Sequence, residues 1–305
     1  MAATELQNEF NSGMGLDVVF PTPGQIMRRR MATHKGFLVG GIMICIVFLV
    51  ALLAPYLTNY DPYQQDLGSR MIAPVWSDHG TWTHPLGTDN MGRDYLARLV
   101  FGARISLLIG FSCMSIAAVI GISLGLIAGY FGGVIDMVVS FIITVRLALP
   151  AVLVAIAVVA LIGGSMQVVI IVLGCLIWDR FAVILRATTQ QIRSMDYVQA
   201  ARAAGCSVPW LMVREIMPNL FNSIVIVATL EIGRAILLEA ALSFLGMGVQ
   251  PPTPSWGLMI SEGKDLMLFD PYLVTIPGVA LFFLVLGMNL FGDGLRDVTS
   301  PEGRS

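Results

Sequence analysis

The chain has 305 residues, of which 56% are hydrophobic and only 12% charged, about half the roughly 25% charged content of a soluble domain. With a mean hydropathy of +0.79 this composition excludes an ordinary soluble fold and predicts an all-α integral membrane protein. A net charge of -2, with no basic run longer than Arg28-Arg29-Arg30, gives no sign of a nucleic-acid partner, and none is expected.

Residues 1–35 are polar and precede the first apolar run, so they read as a cytoplasmic tail rather than a cleaved leader, whose apolar region would start earlier. Gly36 to Leu57 is a first membrane span, with Arg28, Arg29, Arg30 and Lys35 as its inner anchors. Residues 58–102 carry Pro62, Pro74, Pro85, Trp76 and Trp82 and are too polar for lipid, which predicts an external segment with structure of its own. Within it, Gly87 to Asp94 precedes Tyr95, Leu96, Leu99 and Val100 at helical spacing, so Asp89 is expected to cap an interfacial helix. The same residues also fit a cap and turn with no further role.

A core domain follows over residues 103–292, with spans at Ala103 to Tyr130, Val134 to Ile162 and Met166 to Leu185, joined by Phe131-Gly132-Gly133 and Gly163-Gly164-Ser165. Next comes the soluble-looking stretch 196–219, DYVQAARAAGCSVPWLMVREIMPN. Ala200, Ala201 and Ala203 lead to Gly205, which can end a helix in the left-handed conformation, and Pro209 fits the first turn of a second helix running to Met217-Pro218. The reading is a helical hairpin at the membrane surface whose small-residue face admits a partner, with Arg202, Arg214 and Glu215 available to fix register. A basic cytoplasmic loop of no special role has the same residue types.

A fifth span is expected at Ser223 to Met247 and a sixth at Tyr272 to Phe291, followed by a cytoplasmic tail, 293–305. Six spans put both termini and the hairpin on the cytoplasmic side. Cationic residues agree: Arg28, Arg29, Arg30, Lys35, Arg186, Arg193, Arg202, Arg214, Arg296 and Arg304 fall inside, against Arg70, Arg93, Arg98, Arg104 and Lys264 outside. Pro251, Pro252 and Pro254 stiffen the loop before Trp256, which suits an external gate or docking site, with Asp89, Arg93 and Asp94 as further candidates.

Four charges fall inside apolar runs: Arg146, Glu231, Arg234 and Glu239. Each costs roughly 2.5–3.5 kcal/mol at a helix centre, so they are expected to face protein or water. Glu231, Arg234 and Glu239 lie within an arc of roughly 140° on one helix and are candidate pathway residues, although a neutral pair tying helices together is an equal reading. Cys45, Cys113, Cys175 and Cys206 imply neither disulfide framework nor metal site. Only two lysines occur, Lys35 and Lys264, neither in a phosphate-binding loop, and no His sits among the apolar runs to serve as a base, so neither nucleotide hydrolysis nor intramembrane hydrolysis is expected.

Several blocks carry a resemblance. Gln199-Ala200-Ala201, Gly205 and Met217-Pro218 resemble the "EAA" loop of ATP-binding-cassette importer permeases, with Gln199 in place of the usual Glu and Met217 in place of Leu. HPLGTDNMGRD followed by ARLVFGARISLLIG, the block Glu239 to Gly246 with the proline loop after it, and the ending NLFGDGLRD are similar to the "C" permease of the dipeptide, oligopeptide and nickel group. The resemblance implies the type I ABC importer permease fold in a bacterial inner membrane. It implies that Asp196, Gln199, Ala200, Ala201, Gly205, Met217 and Pro218 form a coupling helix on an ATPase. It further implies a sister permease in a heterodimer, two ATPase subunits that hold the ATP and Mg²⁺, an external solute-binding protein, and no cofactor on this chain. Peptides, peptide-like solutes or nickel chelates are the implied cargo. An ion-driven carrier using Glu231 and Glu239, or a scaffold without transport, are the rival readings.

Overall fold

The computed structural model describes residues 23–299, which are helical apart from loops and one isolated bridge between Thr88 and Asp94. The expectations for residues 1–22 and 300–305, including Arg304, lie outside the described residues.

Helix α1 (Pro23–Thr33) lies within the tail read as non-membrane, and α2 (Lys35–Leu52) follows, capped by His34, whose Nδ1 accepts from Phe37 N. Pro55 sits in the first turn of the short α3 (Ala54–Leu57), so the first apolar run is two helices rather than one. The next helix, α4 (Tyr95–Phe131), has 37 residues. At 1.5 Å per residue it is about 55 Å long, well beyond the roughly 30 Å of a hydrocarbon core. The separate interfacial helix is therefore corrected: its residues are the first turns of α4. The cap is Asp94, which accepts from Ala97 N at 2.7 Å, and not Asp89.

The third apolar run is broken. Helices α5 (Gly133–Ala148) and α6 (Ala151–Ile162) meet at 83°, because Pro150 has no N–H to donate and pushes Leu149 into extended backbone. A second break, at Ile177-Trp178, separates α7 (Met166–Leu176) from α8 (Asp179–Arg193), which extends past the expected end at Leu185. After the hairpin, α11 runs from Met217 to Phe244 rather than Ser223 to Met247, and the last long helix continues through the supposed tail to Thr299 (α13, Tyr272–Thr299). Between them lies α12 (Trp256–Gly263). By length and composition four helical segments can cross a membrane, or five if the bent pair counts as one span. The expected count of six does not emerge on that test. Helix α11 is not among those segments, and it carries Glu231, Arg234 and Glu239 along its length.

Helix α4 is the spine, packed against α8, α7, α11 and α2, while α13 packs on α2, α11 and α12. The α4 to α8 contact is a small-residue seam: a Cβ added at Gly121, Gly125 or Gly129 would lie within 3 Å of atoms of α8 or the break before it. Such i, i+4 glycines let two helix backbones approach closely, which in lipid is a main source of helix association. Contacts also sort the ends of the bundle. Phe37 stacks on Phe291 and His34 meets Asp297 at the end where Arg193 covers Tyr130. Tyr95 donates to Leu273 O at the opposite end.

Candidate functional site

At the first end, helix α9 (Asp196–Ala203) turns through Gly205, whose φ of 85° is in the left-handed region, into α10 (Val208–Trp210), with Pro209 in its first turn as expected. The second arm does not stop at Pro218. Leu211 to Ile216 form a π turn, Met217 N donating to Met212 O, and the chain runs straight into α11 with Pro218 in its first turn. Pro218 lacks the N–H that an α-helical ladder would use there, so the widened turn absorbs the fault. The hairpin's second arm is thus continuous with the long helix α11.

Buried Val198, Leu211 and Ile216 fasten the hairpin to the bundle, while Tyr197, Ala200, Arg202, Gly205, Trp210 and Val213 are exposed. Gln199 Nε2 donates to Arg193 O at 2.8 Å, tying α9 to the end of α8. An ionised Glu at this position has no donor for that bond. Asn219 Nδ2 donates to Tyr197 Oη at 3.0 Å and to Glu215 O at 2.6 Å, closing the hairpin's base. The candidate set Asp196, Gln199, Ala200, Ala201, Gly205, Met217 and Pro218 therefore belongs to one compact unit.

Midway along the bundle the helix breaks coincide with charge. Arg146 donates to Leu149 O at 3.1 Å, and from both Nε and Nη2 to Leu176 O. It caps the C-terminal ends of α5 and α7 together, where freed carbonyls and helix dipoles favour a cation. Beside it, Arg234 Nη1 lies 3.2 Å from Asp179 Oδ1 and 3.4 Å from Glu231 Oε2, and Arg180 Nε lies 3.4 Å from Glu231 Oε1. The sequence reading took Glu231 and Arg234 as pathway residues but missed Asp179 and Arg180, although both stand inside the fourth apolar run. That run is hydrophobic on average, and the break that presents them shows no Pro or Gly at 177–178.

Glu239 is set apart from this cluster. It is fully buried and accepts from Ser243 Oγ at 2.8 Å and Ser255 Oγ at 3.0 Å. Ser255 in turn caps α12, accepting from Leu258 N at 3.1 Å. Glu239 thus pins the start of α12 to α11.

The third grouping is at the other end. Asp89 Oδ2 accepts from Arg93 Nε and Arg98 Nη1, each at 2.6 Å, and its Oδ1 accepts from Met91 N at 2.8 Å and Arg93 N at 3.0 Å. Glu262 on α12 completes the group, 3.2 Å from Arg93 Nη2 and 2.6 Å from Arg98 Nη1. Gly92 is required here: its φ is 73°, and a Cβ would lie 1.7 Å from Asp66 O. Asp89, Arg93, Asp94 and Trp256 are all buried, Trp256 Nε1 donating to Leu99 O at 2.9 Å, so they build the framework. Only Pro251 and Pro252 of the proposed docking residues are exposed.

The family described as "Binding-protein-dependent transport system inner membrane component" matches residues 121–304, and the one described as "N-terminal TM domain of oligopeptide transport permease C" matches residues 22–74. The chain belongs to this family of multi-pass inner-membrane permeases, and is a permease subunit of an ATP-driven importer. Similar proteins include the dipeptide transport system permease protein DppC of Haemophilus influenzae, 39% identical over 269 residues (88% of this chain, 91% of the relative). That of Escherichia coli is 39% identical over 281 residues (92% and 94%). The glutathione transport system permease protein GsiD of Pectobacterium atrosepticum is 36% identical over 284 residues (93% and 93%). A solved structure of the inward-facing MetNI methionine ABC transporter shares the fold, with a TM-score of 0.55 at 18% identity over 67% of this chain and 97% of that one. Family membership replaces the ion-driven and scaffold readings; such a permease works with ATPase and binding-protein partners.

Proposed function

We propose that this chain walls one half of a passage for di- or oligopeptides and is driven by an ATPase seated on the Asp196 to Pro218 hairpin. The observation that carries the coupling is the hairpin itself, exposed on its outer face and continuous with α11, so that a pull on Gly205 is delivered to the helix bearing Glu231, Arg234 and Glu239. The peptide cargo is supported by relatives named for dipeptides and glutathione. ATP and Mg²⁺ belong to the ATPases, and no cofactor is assigned to this chain. Alternating access would move the helix pairs that meet at the two breaks.

Leucine at Gly205 has room, since nothing lies within 4 Å of its Cβ position. It nonetheless strains a left-handed backbone by roughly 1–2 kcal/mol and puts bulk on the docking face. In proteoliposomes holding the complete importer, Gly205→Leu is expected to abolish ATP-driven peptide uptake and weaken ATPase co-purification. Wild-type values for uptake, hydrolysis and co-purification together would refute the coupling role.

The hairpin and both ends of the described chain are assigned to the cytoplasm. Single cysteines at exposed Ser207 and Trp82, on a background lacking the four native ones, test this with an impermeant thiol reagent on intact cells. Trp82→Cys should react and Ser207→Cys should not; the reverse pattern inverts the topology. A passage wide enough for a peptide needs a second wall, and two ATP sites need two docking hairpins. We assign the second wall to a distinct sister permease, and native mass spectrometry showing two copies of this chain alone in an active complex would overturn that.

A further inference from the structure

We propose that Arg180 is a carboxylate-binding fork inside the passage, placed to take the free C-terminal carboxylate of a peptide. The proposal rests on the reading that this chain lines a peptide passage, and adds where the peptide's charge is held.

Arg180 stands in the 28-residue segment Met166–Arg193. Its ion-pair partner Glu231 lies at the midpoint of α11 (Met217–Phe244), so the pair sits at mid-depth of the bundle although Arg180 is only five residues before the expected inner end of its own span at Leu185. Its side chain is nevertheless 53% exposed, while that of Glu231 is 0%, Asp179 2% and Arg234 25% exposed. A half-exposed guanidinium at mid-span is tolerated where it meets water or a partner, not lipid.

The local charge balance points to an anion. Three guanidiniums, on Arg146, Arg180 and Arg234, meet two carboxylates, on Asp179 and Glu231. Arg146 is committed to carbonyls at the two helix breaks, and Arg234 is held between Asp179 and Glu231. Arg180 approaches Glu231 through Nε, at 3.4 Å. Its terminal nitrogens have no hydrogen-bond partner among the described residues, and a planar pair of N–H donors suits a carboxylate with two parallel bonds. Glu231, itself fully buried, would orient the fork without occupying it.

The test uses a reporter one turn away. Ile184 is exposed on the same helix, four residues on from Arg180. Ile184→Cys, in a chain freed of its native cysteines, is assembled with its partners, purified without nucleotide and treated with a water-soluble thiol reagent. A dipeptide added directly is expected to slow labelling about tenfold, and its C-terminal amide much less, as loss of a charge-assisted bond predicts. Adding Arg180→Gln should make acid and amide equivalent, and Arg180→Lys should keep part of the difference. An unreactive reporter, equal effects of acid and amide with Arg180 intact, or selectivity that survives Arg180→Gln would each overturn the proposal. The acid-to-amide comparison uses the native Arg180, so it stands even if the Arg180→Gln chain does not assemble. Peptide accumulation by proteoliposomes is measured separately: its failure with acid-selective protection intact would sink peptide import, not the carboxylate site.

Discussion

Asp89→Ala is expected to detach the loop-rich segment from the bundle and cost about 3–5 kcal/mol, the usual penalty for removing one partner of a buried ion pair. The magnitude follows from what is left behind. Asp89 accepts four hydrogen bonds, two from guanidiniums. Arg93 and Arg98 are both buried, and without Asp89 they would have only Glu262 as counter-ion. Two nitrogens of Arg98, Nε and Nη2, already have no hydrogen-bond partner among the described residues. Asp89→Asn keeps the shape but loses the charge, so an intermediate loss is expected. Thermal unfolding of the purified complex, with limited proteolysis of residues 58–94, checks this. A midpoint and cleavage pattern like wild type in Asp89→Ala would show that the cluster does not hold the segment in place. The functional consequence follows through Glu262, because loosening it frees α12, which Glu239 and Ser255 hold from the other side.

The second large effect is expected at the α4 to α8 seam. A Cβ at Gly121 would lie 2.4 Å from Phe181 Cβ and 2.5 Å from Trp178 O. The second of these is backbone at the break before α8 and cannot swing aside. Gly121→Leu should therefore exceed the roughly 1–3 kcal/mol of ordinary overpacking and prevent recovery of the assembled transporter. Gly121→Ala should assemble with reduced thermal stability. Size-exclusion profiles and expression level read this directly, and a Gly121→Leu chain that assembles and transports like wild type would mean that α4 and α8 are not locked there. Because Trp178 adjoins Asp179 and Arg180, the alanine variant is also expected to disturb the mid-span charges before it disturbs the hairpin.

The hairpin was legible in the sequence because its signals are local. Gly205 permits a left-handed turn, Pro209 starts a helix, and a polar stretch between apolar runs cannot enter lipid. Asp94 and Asp89 illustrate the opposite limit. Both are good caps by residue type, and only the packed chain decides that Asp94 caps α4 while Asp89 collects Arg93 from the turn before that helix and Arg98 from its first turn. Span boundaries failed for a similar reason: hydropathy reports where the chain is apolar, not where its helix bends, so the 83° break at Pro150 and the one at Trp178 were averaged away.

A helical membrane protein with an exposed hairpin can be read from the residues alone, since composition, periodicity and turn residues act within a few positions of one another. Tertiary structure alone decided which charges meet. Asp179 and Arg180 on α8 lie more than fifty positions before Arg234 on α11, and nothing in either stretch names the other. Burying a charge in an apolar interior is stable only against a suitable partner, and that partner is chosen by helix packing, through glycine seams and broken spans, rather than by neighbours in sequence.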